Sequence, residues 1–273
     1  MTERFWRRYI NFAGISGDDL DIYFRIKGEE PATCDVTVYN LSQDTISKFK
    51  VGDIVELEAG YRDDHGIIFT GKIQEPIETE REGSDIATHF HLADASEYQL
   101  QRVISVLNIA KGTPIIDAIK TILTELEIPI GKADAFTTKF DSQIVISDRV
   151  AKDILINGKD SFKNELAEKE GSCEFFMRDG KAYIVKEETR DTEKVNLSAD
   201  TGLLEVEKLE IENEETQESD TRYKIKSLLI WQLRRKMRIN LQSKQVSGDF
   251  EVVKFEHICN DAAYYTVCEV RAT

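Results

Sequence analysis

The stretch from Ala32 to Glu75, ATCDVTVYNLSQDTISKFKVGDIVELEAGYRDDHGIIFTGKIQE, carries the reading that decides the fold. Val36 and Val38 alternate with Thr37 and Tyr39, the period of two that buries one face of a strand. Asn40-Leu41 ends that strand. Ser42 is placed to cap a short helix holding Ile46 and Phe49, and Val51-Gly52-Asp53 turns the chain into a second alternating strand, Ile54 to Ala59. Asp63-Asp64-His65-Gly66 supplies a polar turn, after which Ile67, Ile68, Phe69 and Ile73 make a return strand. Strand, short helix, strand, turn, strand is the plan of a barrel corner and leaves no place for a catalyst.

Working outward, residues 1 to about 98 read as mostly β: Arg4 to Phe12 and Leu20 to Lys27 alternate, and His89, His91 and Leu92 lie on a strand after a charged hairpin around Glu80 to Ser84. The character changes at Glu97. Thr113-Pro114 predicts a helix start with proline at the first helical position, and Ile115, Ile119, Ile122 and Leu126 recur at helical spacing until Pro129 and Gly131. A second helix starts near Asp160 or Ser161, pairs Phe162 with Leu166 and ends at Gly171. Cys173 to Met177 and Ala182 to Val185 flank Arg178-Asp179-Gly180-Lys181, a strong hairpin signal. Residues 99–188 therefore read as a small α+β unit.

From residue 189 the pattern returns to β. Leu209 and Ile211 alternate with Glu210 and Glu212, Ser247-Gly248-Asp249 leads into a strand through Val252, Val253 and Phe255, and a turn at Asn260-Asp261 precedes a last strand, Tyr264 to Val270. The hairpin-like words from Val55 and from Ile239 form a faint internal repeat, either a duplicated barrel or the common look of antiparallel hairpins.

With 36 basic and 51 acidic residues the net charge is -15, which argues against a protein that grips nucleic-acid backbone. The N-terminus lacks the apolar core of a signal peptide and no apolar run spans a bilayer, so cytoplasmic synthesis is expected. Cys34, Cys173, Cys259 and Cys268 form no CxxC pair and read as buried thiols. His89 and His91 share a strand face that could begin a metal site, but no Cys or third His is linked by spacing, which favours a structural role. His65 reads as exposed, and His257 with Asp261 could form a proton relay. Acidic pairs such as Asp63-Asp64, Glu187-Glu188 and Glu214-Glu215 are too common to mark a glycosidase, and no nucleophile elbow, P-loop or dinucleotide fingerprint occurs. No catalytic residue, cofactor site or metal site is assigned. The sharpest contrast is eight acids between Glu205 and Asp220 followed by Arg222, Lys224, Lys226, Arg234, Arg235, Lys236 and Arg238. These are either solvated charges or, in an oligomer, groups facing each other across a subunit boundary. Arg222, Lys224, Arg234, Arg235, Lys236 and Arg238 are the interface candidates.

The words "VYNLS", "VGDIVELEAGY" and "IFTGKI" in this order, the middle hairpin from Gly171 to Val185, the "TGLL" at Thr201 to Leu204, and the closing strand, serine, glycine, strand, histidine, aspartate pattern together resemble the phage baseplate hub proteins, the group that includes the late control protein D family. The resemblance covers nearly the whole chain. It implies a mainly β fold of two tube-protein-like antiparallel barrels, 1–98 and 189–273, joined by the α+β unit at 99–188. It further implies a non-enzymatic homotrimer that forms a pseudo-sixfold ring in the baseplate of a virion assembled in the host cytoplasm. Such a ring adapts the tail tube or a distal tail ring to a central spike or tail fibre, meets the tape measure protein, and lets DNA pass without stable nucleic-acid or membrane binding. Arg234, Arg235, Lys236 and Arg238 would then avoid the lumen, and the resemblance implies a structural role for His257 and Asp261. Because the chain ends at Thr273, no spike, lysozyme or peptidase extension is expected. The rivals are a carbohydrate-binding β module of a tail tip, which would need Trp6, Trp231 or the Tyr264-Tyr265 pair exposed on one face, and a cell-wall hydrolase.

Overall fold

The computed structural model describes residues 7–28, 32–178, 180–186, 194–212 and 219–272. The first run of elements is β1 (Arg8–Phe12), β2 (Ile15–Ser16), β3 (Ile22–Lys27), β4 (Thr33–Tyr39), α1 (Gln43–Ile46), β5 (Ile54–Tyr61), β6 (Asp64–Ile73), β7 (Glu78–Glu82) and β8 (Asp85–Asp94). The middle run is α2 (Ala95–Leu100), β9 (Val103–Ile109), α3 (Ile115–Glu125), β10 (Ile130–Ala133), β11 (Ile144–Val150), α4 (Ala151–Leu155), α5 (Phe162–Glu170), β12 (Cys173–Arg178) and β13 (Lys181–Lys186). The last is β14 (Lys194–Ser198), β15 (Leu203–Glu212), β16 (Ser219–Leu228), β17 (Arg238–Gln242), β18 (Ser247–Cys259) and β19 (Tyr264–Ala272). Two compact units result: residues 1–93 with 193–273, and residues 94–192.

In the first unit the strands join in one ladder, β15-β16-β19-β18-β3-β4-β8-β6-β5-β1-β2, with β7 on β8 and with β17 carrying β14 against β18. The mainly β character with an α+β insertion is as the sequence implies. Among the described residues neither end of the ladder pairs back to close a barrel. Two long strands change partner along their length: β8 lies beside β7 and then β6, and β18 lies beside β17 and then β3. In β18 the register shifts between Val252 and Lys254. That extra residue keeps Phe250 and Val252 before it, and Phe255, His257 and Cys259 after it, on the buried side; an unbroken period of two would turn the second group outward. One core runs through the unit, with Phe12, Phe24, Val36, Leu57 and Phe90 from the first run and Ile225, Leu233, Phe250, Val252 and Val270 from the last.

Local expectations hold with small displacements. Cys34, Val36 and Val38 are buried on β4, and the Ser42 side chain accepts from the Thr45 N–H at 3.2 Å to cap α1. Phe49 lies just past that helix, edge-on to Phe90 with centroids 5.2 Å apart. The hairpin tip is shorter than Asp63 to Gly66: Tyr61 already pairs with Asp64, so only Arg62 and Asp63 turn.

The second unit packs α3 and α5 with a three-stranded sheet, β10-β13-β12, and a two-stranded one, β11-β9. Pro114 is the N-cap of α3 and not its first helical residue, and Ile115, Ile119, Ile122 and Leu126 are all buried. Ser161 caps α5 by accepting from the Asn164 N–H, and Gly171 ends it with a positive φ of 89°. Glu170 at that end accepts from the N–H and hydroxyl groups of Thr137 and Thr138 and from Lys186. Burial pushes its carboxyl upward, but these donors outweigh it and hold the group at about 2. Among the described residues no helix is long and apolar enough to cross a membrane.

Arg178 pairs with Lys181, which leaves a two-residue turn; Asp179 lies outside the described residues, and Gly180 has φ of 71°. A Cβ at Gly180 would touch nothing within 4 Å, so its cost is conformational alone. Replacing Gly180 with Val should destabilise the second unit by roughly 1 kcal/mol or more in urea unfolding. Unchanged stability would show that the turn does not need a left-handed residue.

Candidate functional site

The basic segment singled out by the sequence is divided among three environments. On β16, Arg222 stands opposite Leu209 and Arg271, whereas Lys224 stands between Glu207 of β15 and Glu269 of β19. Lys226 faces Glu205, and its ammonium lies 4.2 Å from the centroid of the Tyr265 ring. The acidic and basic tracts thus meet inside one hairpin of the same chain. Residues 213–218 at its tip lie outside the described residues.

Arg234 is turned inward and only 8% exposed. Its guanidinium donates to the carbonyls of Trp231 at 2.5 Å, Leu233 at 3.0 Å and Ile67 at 2.8 Å. An arginine spent on backbone acceptors is a structural tie between the 231–234 loop and β6. Arg235 is half-buried. Lys236, with φ of 68°, brings its ammonium 3.6 Å from Glu251, a buried carboxylate that also accepts from Arg271 at 3.0 Å. Arg238 opens β17 opposite Glu251. A buried carboxylate needs such partners, because stripping one leaves an uncompensated charge.

The 231–234 loop belongs to a larger seam between the first and last runs of the chain. The Trp231 indole donates to Asp64 at 2.7 Å and the Gln232 amide donates to the same oxygen. Gly66 leaves the room this needs, since a Cβ there would stand 2.5 Å from the Trp231 ring. The Tyr264 hydroxyl accepts from the Gly60 N–H at 2.8 Å and lies 2.5 Å from the Gly60 carbonyl and 3.0 Å from that of Tyr9, with the Arg8 guanidinium over its ring. Its neighbour Tyr265 points to the other side.

Behind the loop, His257 is fully buried. The Leu233 carbonyl can only accept, so Nε2–H faces it at 3.4 Å and Nδ1 of the neutral ring accepts from the Thr266 hydroxyl at 2.8 Å, while Thr266 Oγ1 accepts from the Ile230 N–H at 3.0 Å. Burial, then the nearby Arg234 charge, pushes the imidazole down to about 3 and keeps it neutral. Both ring nitrogens are thus engaged by Thr266 and Leu233 and neither by Asp261, which accepts from Tyr23, so the pair is structural and not a relay. His65 is exposed and stacked on Tyr9, His91 meets Asp35 at 2.8 Å, and His89 meets Thr37. All four cysteines are free and buried; burial raises every thiol, to about 11 at Cys173 and about 12 at Cys259 and Cys268, so none is poised as a nucleophile. Glu187-Glu188, Glu214-Glu215 and Trp6 lie outside the described residues.

No family model and no curated protein matches the sequence. Solved structures do match. The tail protein from Neisseria meningitidis MC58 superposes with a TM-score of 0.66 over 97% of this chain and 97% of its own, at 10% identity. The 43 kDa tail protein of prophage MuSo2 from Shewanella oneidensis gives 0.66 over 97% and 96%, also at 10% identity. The chain has the fold of phage tail proteins. An E. coli component of the type VI secretion system, itself structurally similar to T4 bacteriophage tail proteins gp27 and gp5, matches with a TM-score of 0.61 over 97% of this chain and 76% of its own, at 9% identity.

The seam of this tail-protein fold has a pH signature. A histidine at about 3 in the folded chain and near 6.5 when unfolded leaves the unfolded state binding more protons between those values, so stability falls as pH drops through that window. His257→Gln, whose amide can serve both neighbours, should cost about 1 kcal/mol at neutral pH. It should also lose less stability than wild type on acidification to about pH 5, in urea unfolding at the two pH values. Parallel losses in the two proteins would refute a buried neutral His257.

Proposed function

We propose that this chain is a structural hub of a phage tail baseplate or of a related contractile injection particle. The observation that carries the reading is the end-to-end superposition on two tail proteins, which accounts for nearly every residue of both partners and not for a shared module. In this reading residues 1–98 and 189–273 act as two tube-like hub domains and 99–188 as a smaller domain between them. Three copies make a pseudo-sixfold ring that joins the tail tube or distal ring to a threefold spike or fibre, with the tape measure protein as a further neighbour. The role is scaffolding and not catalysis, and the place is the virion. Arg222, Arg235 and Arg238 are the charges offered to neighbouring subunits, while Lys224 and Lys236 are met by acids of their own chain and Arg234 supports the segment from inside. A net charge of -15 suits a passage that DNA crosses without being held, since each neutralised phosphate adds affinity through counterion release. The carbohydrate-binding alternative loses two of its aromatics: Tyr264 is buried and Trp231 is packed over Gly66.

Light scattering at micromolar concentration should give about three chains per particle. Duplex DNA should keep its electrophoretic mobility with the assembled protein at low salt, where attraction is least screened. A monomer at high concentration would remove the ring, and salt-sensitive DNA retention would remove the passive conduit.

A further inference from the structure

Among the described residues the outer strand β7 pairs only with β8, and all five of its residues, Glu78 to Glu82, are exposed. The strand period places Glu78, Glu80 and Glu82 on one face. The register sets Glu78 opposite His89, Glu80 opposite Ala87 and Glu82 opposite Asp85, so the imidazole of His89 rises on the same face as the glutamates. One ligand atom from each of Glu80, Glu82 and His89 lies within 4.8 Å of the other two. Ligands at tetrahedral angles about a cation at about 2.1 Å stand roughly 3.4 Å apart, and rotation of the two exposed glutamate side chains supplies the closer approach.

Neighbouring strands hold the group in place. On β4, Thr37 stands opposite His89 and Tyr39 opposite Ala87. Thr37 Oγ1 is 3.1 Å from His89 Nδ1, and the Tyr39 hydroxyl donates to Glu82 Oε2 at 2.9 Å. With Nδ1–H donating to the threonine, Nε2 keeps its lone pair for a metal, the arrangement by which outer partners set the tautomer of a ligating histidine. Among the described residues no lysine or arginine makes an ion pair with Glu80 or Glu82. Two carboxylates are therefore gathered beside an imidazole with no protein cation between them, and like charges this close repel unless one is supplied. His91, two residues along the same face, is directed elsewhere by Asp35.

We propose that Glu80, Glu82 and His89 form a binding site for a first-row divalent cation of the zinc class. The donor set selects the metal: an imidazole nitrogen suits zinc and its neighbours, whereas magnesium and calcium prefer oxygen ligands throughout. Three protein ligands leave open positions for water. The bound ion fastens the lone outer strand to β8 across the ladder. This site stands on its own residues and is independent of the hub reading.

Isothermal titration of the chelator-treated full-length chain with zinc chloride should show one ion bound per chain, with a rise in melting temperature. Magnesium and calcium at the same concentrations should give neither. His89→Gln and the double variant Glu80→Gln/Glu82→Gln should each weaken zinc binding by about ten-fold or more, while their metal-free melting temperatures stay near wild type. His91→Ala should bind zinc as wild type does. Absence of zinc binding by the wild-type chain would overturn the site, as would binding that survives in both ligand variants or disappears with His91→Ala.

Discussion

Everything in the larger unit depends on the joining of two chain segments that lie at opposite ends of the sequence. Lys27, Ile26, Arg25 and Phe24 pair with Glu256, His257, Ile258 and Cys259, and this single short ladder makes one sheet of strands drawn from residues 8–94 and 194–272. A second connection lies away from the ladder. There the Tyr264 hydroxyl and Arg234 bond backbone groups of Gly60 and Ile67 in the β5–β6 hairpin, and Trp231 bonds the Asp64 side chain beside its turn. Burying such groups unpaired costs more than their pairing gains, so the seam is held by the penalty of opening it as much as by attraction.

The smaller unit is built on a different economy of contacts. Its core is local, with α3 and α5 laid against strands between residues 104 and 184, and its polar anchor is Glu170 receiving donors from Thr137, Thr138 and Lys186. Inserting such a unit between β8 and β14 leaves the ladder of the larger unit intact, because every strand of that ladder comes from outside it. Charge follows the same logic. Acids on β15 are met by lysines on β16, and Glu251 is met by Lys236 and Arg271, so much of the apparent polarity of the last segment is matched within the chain.

Features with a short-range cause were legible in the sequence. Alternation gave β4, Ser42 and Ser161 gave two helix starts, and the spacing of Ile115, Ile119 and Ile122 gave the buried face of α3, because each depends on residues within a few positions. The seam was not legible. Tyr264 and Gly60 are 204 positions apart, and nothing local distinguishes Tyr264 from its neighbour Tyr265. Arg234 read as one of a run of surface cations because composition cannot show three carbonyls converging on it. The glutamates beside His89 were hidden for a related reason: the spacing of His89 and His91 shows only neighbours along β8, whereas Glu80 and Glu82 come from β7 across the ladder. The parity change in β18 was masked by Val252-Val253, which reads equally well on either face.

Native-state hydrogen exchange followed by mass spectrometry tests the central claim most directly, that the first and last segments form one cooperative body through β3 and β18. The amides along 24–27 and 256–259 should exchange only through the opening that also releases β4 and β19, at one shared free energy. Exchange of β18 through a separate, lower-energy opening while β4 stays protected would contradict the account, since the two segments would then be independent folding units.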